Sequence, residues 1–538
     1  MKKATLALMI AGVISAPTFA AQVPSNVTLA DEQHLVRGNQ VEPSSVDPTF
    51  VNPGSADGPI AIDMFEGFVV EDSLGKPVPG QAESWSVSPD GLTYVFNLRE
   101  GLKWSNGKAL AAGEFVYAWK RAIDPAIGSN NAFYFSTANI KNAAAIQSGD
   151  QPVNSLGIKA LNDRTVEVTL EKKTPYFISL MSMPVFAPLP QSVIEKHGDN
   201  WTKPENIATN GAYILSKWVA NEFVDVTRNP RYWNDANTVL NKVTYLALGS
   251  QNAELMRYQA GEIDMTNRVQ LEQYQRYLKN HPEQINSQPL LGAYVYSFNT
   301  KQAPFDNTDV RNALTMSVDR DILVERITAQ GEPKAYGPVP TTIPDYQAPL
   351  PGYAPLSQKE RIEQAKVLLE KAGYDKDNPL EFTLTYNTSE NHKKIAVAIA
   401  SMWKPLGVKV NLENMEWKAY LSAKSTGDYQ MARSYAFGDY AEPSSVLTPF
   451  TCNHTENESG FCNSEFDELM SKAALEANAD ERSKLYAQAE SVLSSQAPII
   501  PLYQYNHTRL VKTALKGLPK NNPKGNIYAK DLYFIAEK

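Results

Sequence analysis

Twice in this chain a strand-like run is followed by one amphipathic helix and then a second strand-like run, with no hairpin turn to join the two strands directly. The first is VTYLALG, then a helical pattern carrying Ala253, Leu255, Met256, Tyr258 and Gln259 that stops at Gly261, then EIDMT. The second is LEFTLTYN, SENHKKIAVAIASMW and GVKVNLENM, where Ile395, Ile399 and Met402 form the apolar stripe and Pro405 and Gly407 end the helix. A strand that re-enters its sheet after a helical crossover comes back parallel. Each unit therefore predicts a parallel pairing in an α/β lobe, and 538 residues are more than one hydrophobic core usually serves. The expected assembly is two α/β lobes with the chain crossing between them more than once.

The intervening segments fit this frame. AESWSV and TYVFNL read as strands around Asp90-Gly91, with Tyr94, Phe96 and Leu98 on one face, and Phe115, Trp119 and Ala122 follow at helical spacing. TVEVTLEK, Thr165 to Lys172, closes a small mixed unit that LADEQHLVRG precedes. From Thr209, TNGAYILSKWVANEFVDVTRNPRYW gives two strands turning near Ala220-Asn221 and leaving at Asn229-Pro230. Val310 to Ile327 holds two helical stretches around Asp319-Arg320, followed by the proline-rich loop AYGPVPTTIPDYQAPLPGYAP. APIIPLYQYNHTRLVK is strand-like and apolar enough to return into a core.

Lys2, Lys3, the apolar run Ala4 to Ile14 and Ala-Pro-Thr-Phe-Ala have the form of a secretory leader cleaved after Ala20. No cysteine stands at that cleavage point to carry a lipid, and no later apolar run is long enough for a membrane span, so a soluble, exported chain is expected. The net charge of −8, or −10 once Lys2 and Lys3 leave with the leader, argues against a nucleic-acid partner. Cys452 and Cys462 sit close together in the polar run TCNHTENESGFC; an oxidising compartment favours a local disulfide over free thiols or a metal pair.

Signs of catalysis are weak. Ser73 to Lys76 satisfies S-x-x-K but lacks the accompanying S-D-N and K-T-G, and the spacing recurs at Ser401 to Lys404, as chance allows. There is no H-E-x-x-H, G-x-S-x-G or P-loop, and the six histidines include no i,i+4 pair for zinc. With 59 acidic residues, a glycosidase-type carboxylate pair is disfavoured and not refuted.

The wording of several motifs carries more. AExW, DGxxYxFxLRxGxKWS and FVYAWKR, then TNGAY, RNPRYW, VRNALTMSVDR, YNTSENHKK, MEWKAYL and GDYAEPSS, in shared order over most of the chain, resemble the family-5 extracytoplasmic solute-binding proteins of the oligopeptide-binding type. That resemblance implies an α/β, two-lobed periplasmic-binding-protein fold (type II, cluster C) with an additional small inserted domain. It divides the chain into a leader at 1–20, a discontinuous lobe I at 21–64, 190–291 and 507–538, an inserted domain II at 65–189, and lobe III at 292–506. The implied role is a monomeric periplasmic protein, not an enzyme and without cofactor or metal, that captures short extended peptides and passes them to a membrane ABC permease. A murein-tripeptide binder, a dipeptide, haem or nickel-chelate binder of the same fold, and a secreted hydrolase are the alternatives.

A site that accepts many peptide sequences must read the amine, the carboxylate and the backbone between them. Asp439, in RSYAFGDYAEP, suits the amine: Gly438 permits close approach and Tyr435 and Phe437 give apolar cover, although an aspartate in such a turn commonly caps local backbone. The matching aspartate in the family receives the peptide amine, and backbone at Ser434, Tyr435 and Phe437 would pair with the peptide. Ser389 reads as an N-cap that places His392 in the first helical turn, where a carboxylate is favoured or the ring is merely solvated. By the resemblance His392, Arg433 and Lys424 face the peptide carboxylate, an exposed basic face being the other reading of Lys424. Trp417, Tyr503 and Tyr505 are pocket walls or core residues, and Gly54 completes the implied set. Departures from the family pattern are Ala436 for a pocket tryptophan, Asn131 for a tyrosine, and Gly292 with Phe437 where some relatives have a disulfide.

Overall fold

A computed structural model describes residues 21–536; the expected leader lies outside the described residues. The first strand, β1 (His34–Gly38), is followed by an antiparallel four-stranded sheet built from β2 (Ala82–Val87), β3 (Thr93–Leu98), β4 (Ile158–Asn162) and β5 (Thr165–Thr169) in the order β2-β3-β5-β4, with helix α1 (Ala112–Ile123) inserted after β3. The chain then returns to β1 through β6 (Tyr213–Val219), β7 (Phe223–Arg228) and β8 (Lys242–Leu246), giving the sheet β1-β8-β7-β6 with β1 and β8 parallel. Helix α2 (Gln251–Gln259) follows.

Expected and observed structure differ at EIDMT. The crossover returns alongside β1 in the parallel sense, but only Met265 forms a bridge there. The segment's hydrogen bonds are divided: Asp264 exchanges with Val36, whereas Thr266 donates to the Leu510 carbonyl. Shared between two partners, it cannot extend along either as a strand. TVEVTLEK is likewise shorter than expected, its strand ending at Thr169.

A five-stranded sheet forms the rest of the body. It contains β9 (Ile285–Phe298), β10 (Glu381–Asn387), β11 (Lys409–Met415), β12 (Met431–Phe437) and β13 (Ile499–Leu510), ordered β11-β10-β12-β9-β13. Helix α3 (Thr308–Ser317) and helix α4 (Glu390–Trp403) pack on it, and α5 (Trp417–Thr426) lies between β11 and β12 in sequence. As the alternation in LEFTLTYN and GVKVNLENM required, β10 and β11 are parallel and α4 is the crossover.

The hydrophobic interior divides in the same way. Leu35, Phe96, Trp119 and Val226 belong to one continuous cluster spanning the first two sheets, while Tyr296, Leu384, Ile399 and Trp403 on one face of the five-stranded sheet, and Val295, Ala436 and Leu493 on the other, form separate clusters. Two long antiparallel strands join the halves: β9 and β13 pair from Ile285/Leu510, beside Tyr258 and Ile263, to Ser297/Ile499 in the far half. A two-stranded ribbon between separate cores is a place where bending disrupts little buried apolar surface.

Trp119 anchors the first core. It is fully buried, meets Phe68, Phe135 and Phe186 edge-on, and donates its indole N–H to the Phe186 carbonyl at 2.9 Å. Trp119→Ala is expected to lower unfolding free energy by about 3–5 kcal/mol, read from urea denaturation of that half; a loss below about 1 kcal/mol would mean the cluster is not close-packed.

Candidate functional site

The site is organised by an incomplete strand. β12 pairs with β9 along its full length, but its pairing with β10 is confined to Leu384/Met431 and Thr385/Ala432. Beyond Ala432, the edge facing β10 has no strand partner among the described residues. In an antiparallel ladder, residues that bond to the partner alternate with residues whose N–H and C=O point the other way. Asn299 donates to the Gln430 carbonyl and Gly438 donates to the Leu291 carbonyl, so the even-numbered residues of β12 face β9. The backbone groups of Arg433, Tyr435 and Phe437 therefore face the open edge, where the Arg433 carbonyl already accepts from the Tyr420 hydroxyl. This corrects the expectation for Ser434: its backbone is turned toward β9, and its hydroxyl accepts from Lys424 Nζ at 2.9 Å.

At one end of this edge stands Asp439. A Cβ on Gly438 would fall 2.8 Å from Ser445 Oγ and 3.0 Å from Leu291, so glycine is required for the turn to pack, and the Asp439 N–H donates to that same Ser445 hydroxyl at 2.7 Å. The aspartate is exposed by accessible area, yet protein density around it is high. Burial pushes its carboxyl pKa up, Lys524 pulls it down and Glu456 pushes it up. Burial raises the pKa of the Tyr134 phenol, and Asp439 adds to that rise, which places the carboxylate within electrostatic reach of the helix Phe133–Thr137 in the other half. Lys524 is itself held by Glu71 at 2.7 Å. Asp439 thus faces the junction between the halves.

At the other end lie the basic groups. Arg433 donates to the Tyr505 hydroxyl at 2.8 Å and lies 5.0 Å over the Tyr294 ring, and its buried Nε has no partner among the described residues. His392 occupies the third position of α4, with Nδ1 3.1 Å from the Tyr294 hydroxyl. Desolvation and then Arg433 hold its pKa down to about 4, so the ring is neutral at physiological pH. Ser389 precedes α4 as expected, but its side chain makes no capping bond.

Lys424 departs from the exposed-face reading. It is 4% exposed and ion-paired with Glu458 at 2.5 Å, so it is not a solvated surface cation. The pair forms part of the wall of a cavity of about 640 Å³, with Val295, Ser297, Ser434, Ala436 and Phe450 also on its lining. Ala436 contributes only a methyl group to this lining. Cys452 and Cys462 are disulfide-bonded, as the compartment argument favoured, and close the loop that brings Glu456 and Glu458 to the cavity.

The aromatic residues separate by burial. Trp417 opens α5, is 44% exposed and stacks on Tyr420. Tyr505 touches Phe437 and carries the Arg433 hydrogen bond, whereas Tyr503 is buried and stacks behind on Tyr294 at 4.9 Å, so it supports the aromatic face from within the core. Gly292 and Phe437 are direct cross-strand partners, and a Cβ on Gly292 would lie 2.8 Å from the Phe437 ring, which therefore covers the glycine. Asn131 ties down the neighbouring loop by donating to the Thr49 and Val51 carbonyls, and Gly54 lies on the exposed turn that follows, in the half opposite β12.

Sequence reasoning missed Lys524, Glu456, Glu458 and Tyr294. Only the last two glutamates had a local sign, their position inside the Cys452–Cys462 loop.

The model for bacterial extracellular solute-binding proteins, family 5, matches residues 76–457. The chain is 42% identical over 535 residues to the periplasmic oligopeptide-binding protein OppA of Salmonella typhimurium, covering 98% of each. Among solved structures, the unliganded open form of the murein-tripeptide-binding protein MppA overlays with a TM-score of 0.90 at 40% identity, covering 96% of this chain and 99% of that one. Another structure of MppA, from Escherichia coli, overlays at 0.75 with the same identity, covering 95% and 100%. The higher of the two overlays is on the form described as open and unliganded. The strand edge, the two separate cores and the ribbon between them are those of a two-lobed binding protein, and the chain belongs to the family-5 bacterial extracellular solute-binding proteins.

Proposed function

We propose that this protein captures short peptides in extended form between its lobes in the periplasm, after removal of a leader at 1–20, and delivers them as a monomer to a membrane ABC permease. The observation that carries this reading is an unpaired strand edge with an acid at one end and basic groups at the other. Arg433 to Phe437 spans roughly 13 Å at about 3.3 Å per residue, the length of a tri- to pentapeptide backbone once the side chains at each end reach inward. A peptide added here would hydrogen-bond to Tyr435 and Phe437 and direct its ammonium toward Asp439 and its carboxylate toward Arg433 and His392. Side chains would enter the cavity under Ala436 or rest on Trp417 and Tyr505. Lobe III at 292–506 would carry most of these groups, the discontinuous lobe I at 21–64, 190–291 and 507–538 would bring Gly54, and domain II at 65–189 would close the far side. No reaction is assigned to the site, in keeping with a family of binding proteins. A murein tripeptide is a second candidate ligand, favoured by the overlay on the open murein-tripeptide binder.

Calorimetry with peptides of two to five residues, free or blocked at each end, tests this reading. Micromolar binding that requires both free termini is the expected result; indifference to blocking both ends would overturn it.

His392 gives a pH signature. A histidine titrates near 6.5 when unfolded, so a folded pKa of about 4 stabilises the protein above pH 6.5, and this contribution is lost as pH falls toward 4. A ligand carboxylate beside the ring would raise that pKa. At pH 5, calorimetry in buffers of different ionisation enthalpy is expected to show proton uptake on binding a free-carboxylate peptide and none with its amide; equal uptake would remove His392 from the carboxylate end.

A further inference from the structure

Side chains alternate along β12, and this separates the cavity from the basic groups at the end of the open edge. Arg433 lies over Tyr294 and bonds to Tyr505 on one face of the sheet. Ser434 and Ala436, paired with Val295 and Ala293, turn to the other face, and with Val295 they line the cavity of about 640 Å³. A strand added to the open edge alternates in the same way. One guest side chain therefore turns toward the cavity, while Arg433 and His392 stay on the opposite face.

On the cavity wall Lys424 is 4% exposed, stands 2.5 Å from the Glu458 carboxylate and donates to the Ser434 hydroxyl at 2.9 Å. Glu458, by contrast, keeps 34% of its side-chain surface and lines the same space. Its position is fixed from three directions. The Glu458 carbonyl accepts from the Tyr429 hydroxyl at 2.7 Å, the Ser459 carbonyl accepts from the Thr300 N–H and hydroxyl, both at 2.9 Å, and the Cys452–Cys462 disulfide closes the loop.

A buried lysine standing alone in such a wall would receive an anion. With Glu458 against it, a guest carboxylate that approached Lys424 would meet a like charge at the same moment, where little water is present to screen the repulsion. Specificity arises as readily from a repulsive contact against one guest as from an attractive contact to another. We propose that Glu458 sets the charge selection of this cavity, so that its pair with Lys424 admits neutral guest side chains and turns away acidic ones; this rests on the peptide reading above and adds to it the chemistry of the guest. Removing either partner leaves the other as an uncompensated charge on the wall, and the selection then follows the sign of what remains.

Calorimetry with the tripeptides Xaa-Ala-Ala, Ala-Xaa-Ala and Ala-Ala-Xaa, where Xaa is glutamate, glutamine or lysine, tests this. At the position whose side chain enters the cavity, the unmodified protein is expected to bind the glutamine peptide about tenfold more tightly than the glutamate peptide. Glu458→Gln should shift that ratio toward glutamate by about tenfold or more, and Lys424→Met should shift the lysine-to-glutamine ratio toward lysine by as much. The two variants move the selection in opposite directions, so either one decides the matter if the other lacks a cooperative urea transition. Unmodified protein that binds the glutamate and glutamine peptides equally at every position, or folded variants whose ratios stay within about twofold of the original, would overturn the inference and leave peptide capture standing. Failure of every tripeptide to bind the unmodified protein would overturn the peptide reading, and this inference with it.

Discussion

Asp439→Asn is expected to weaken binding of free-amine peptides by on the order of 100-fold, about 2–3 kcal/mol, while changing the affinity of the same peptides N-acetylated by no more than about twofold. The substitution keeps the shape of the side chain and removes its charge. The raised carboxyl pKa shows that Asp439 already lacks full hydration, and the nearby Glu456 makes a negative charge there less favourable still. An ammonium group would relieve both, and closure of the lobes would deepen the dependence by excluding water. Lys524 works against this: it is the cation nearest in effect, but Glu71 holds it. Calorimetric titration of the two peptide series against both proteins is the measurement. Equal losses in the two series would take Asp439 out of the amine end.

A pair of proline substitutions should separate the two edges of β12. Tyr435→Pro removes an N–H that faces the open edge, so the ladder with β9 keeps its bonds; peptide affinity is expected to fall by about tenfold or more while the fold survives. Ser434→Pro removes an N–H directed at β9 and is expected to cost about 3 kcal/mol of stability in that half. Urea denaturation and calorimetry on the same samples read both effects. If Ser434→Pro were the milder change in stability, the alternation of bonding directions along β12 would be assigned backwards.

Local chemistry made much of this fold readable. Asp90-Gly91 between alternating Tyr94, Phe96 and Leu98 could hardly be other than a hairpin, and the apolar stripe Ile395, Ile399 on α4 is buried as its spacing demanded. The cysteines were readable because separation along the chain and compartment act together. What was not readable depends on pairing between distant segments. No feature of RSYAF says that β10 stops pairing at Ala432, and so nothing says which backbone groups of β12 stay open; assigning Ser434 to the edge overlooked an alternation that only the β9 register reveals. Lys424 and Glu458 are far apart in sequence and meet because the disulfide-closed loop folds over α5, so a lysine that reads as surface is buried. EIDMT carries strand-like residues, but its hydrogen bonds are claimed by two neighbours at once. The departures at Ala436, Asn131, Gly292 and Phe437 are visible as letters; a methyl on the cavity wall, a loop tie and a ring lying over a glycine depend on segments distant in the chain.

The central claim is that a guest peptide becomes an extra strand on β12 with its amine at Asp439. A crystal structure with a free tri- to pentapeptide tests it most directly. The expected complex has an extended peptide backbone bonded to Tyr435 and Phe437, its ammonium about 3 Å from the Asp439 carboxylate, and the halves closed over it. A peptide bound elsewhere, or bound at this edge in the reverse direction with its carboxylate at Asp439, would contradict it.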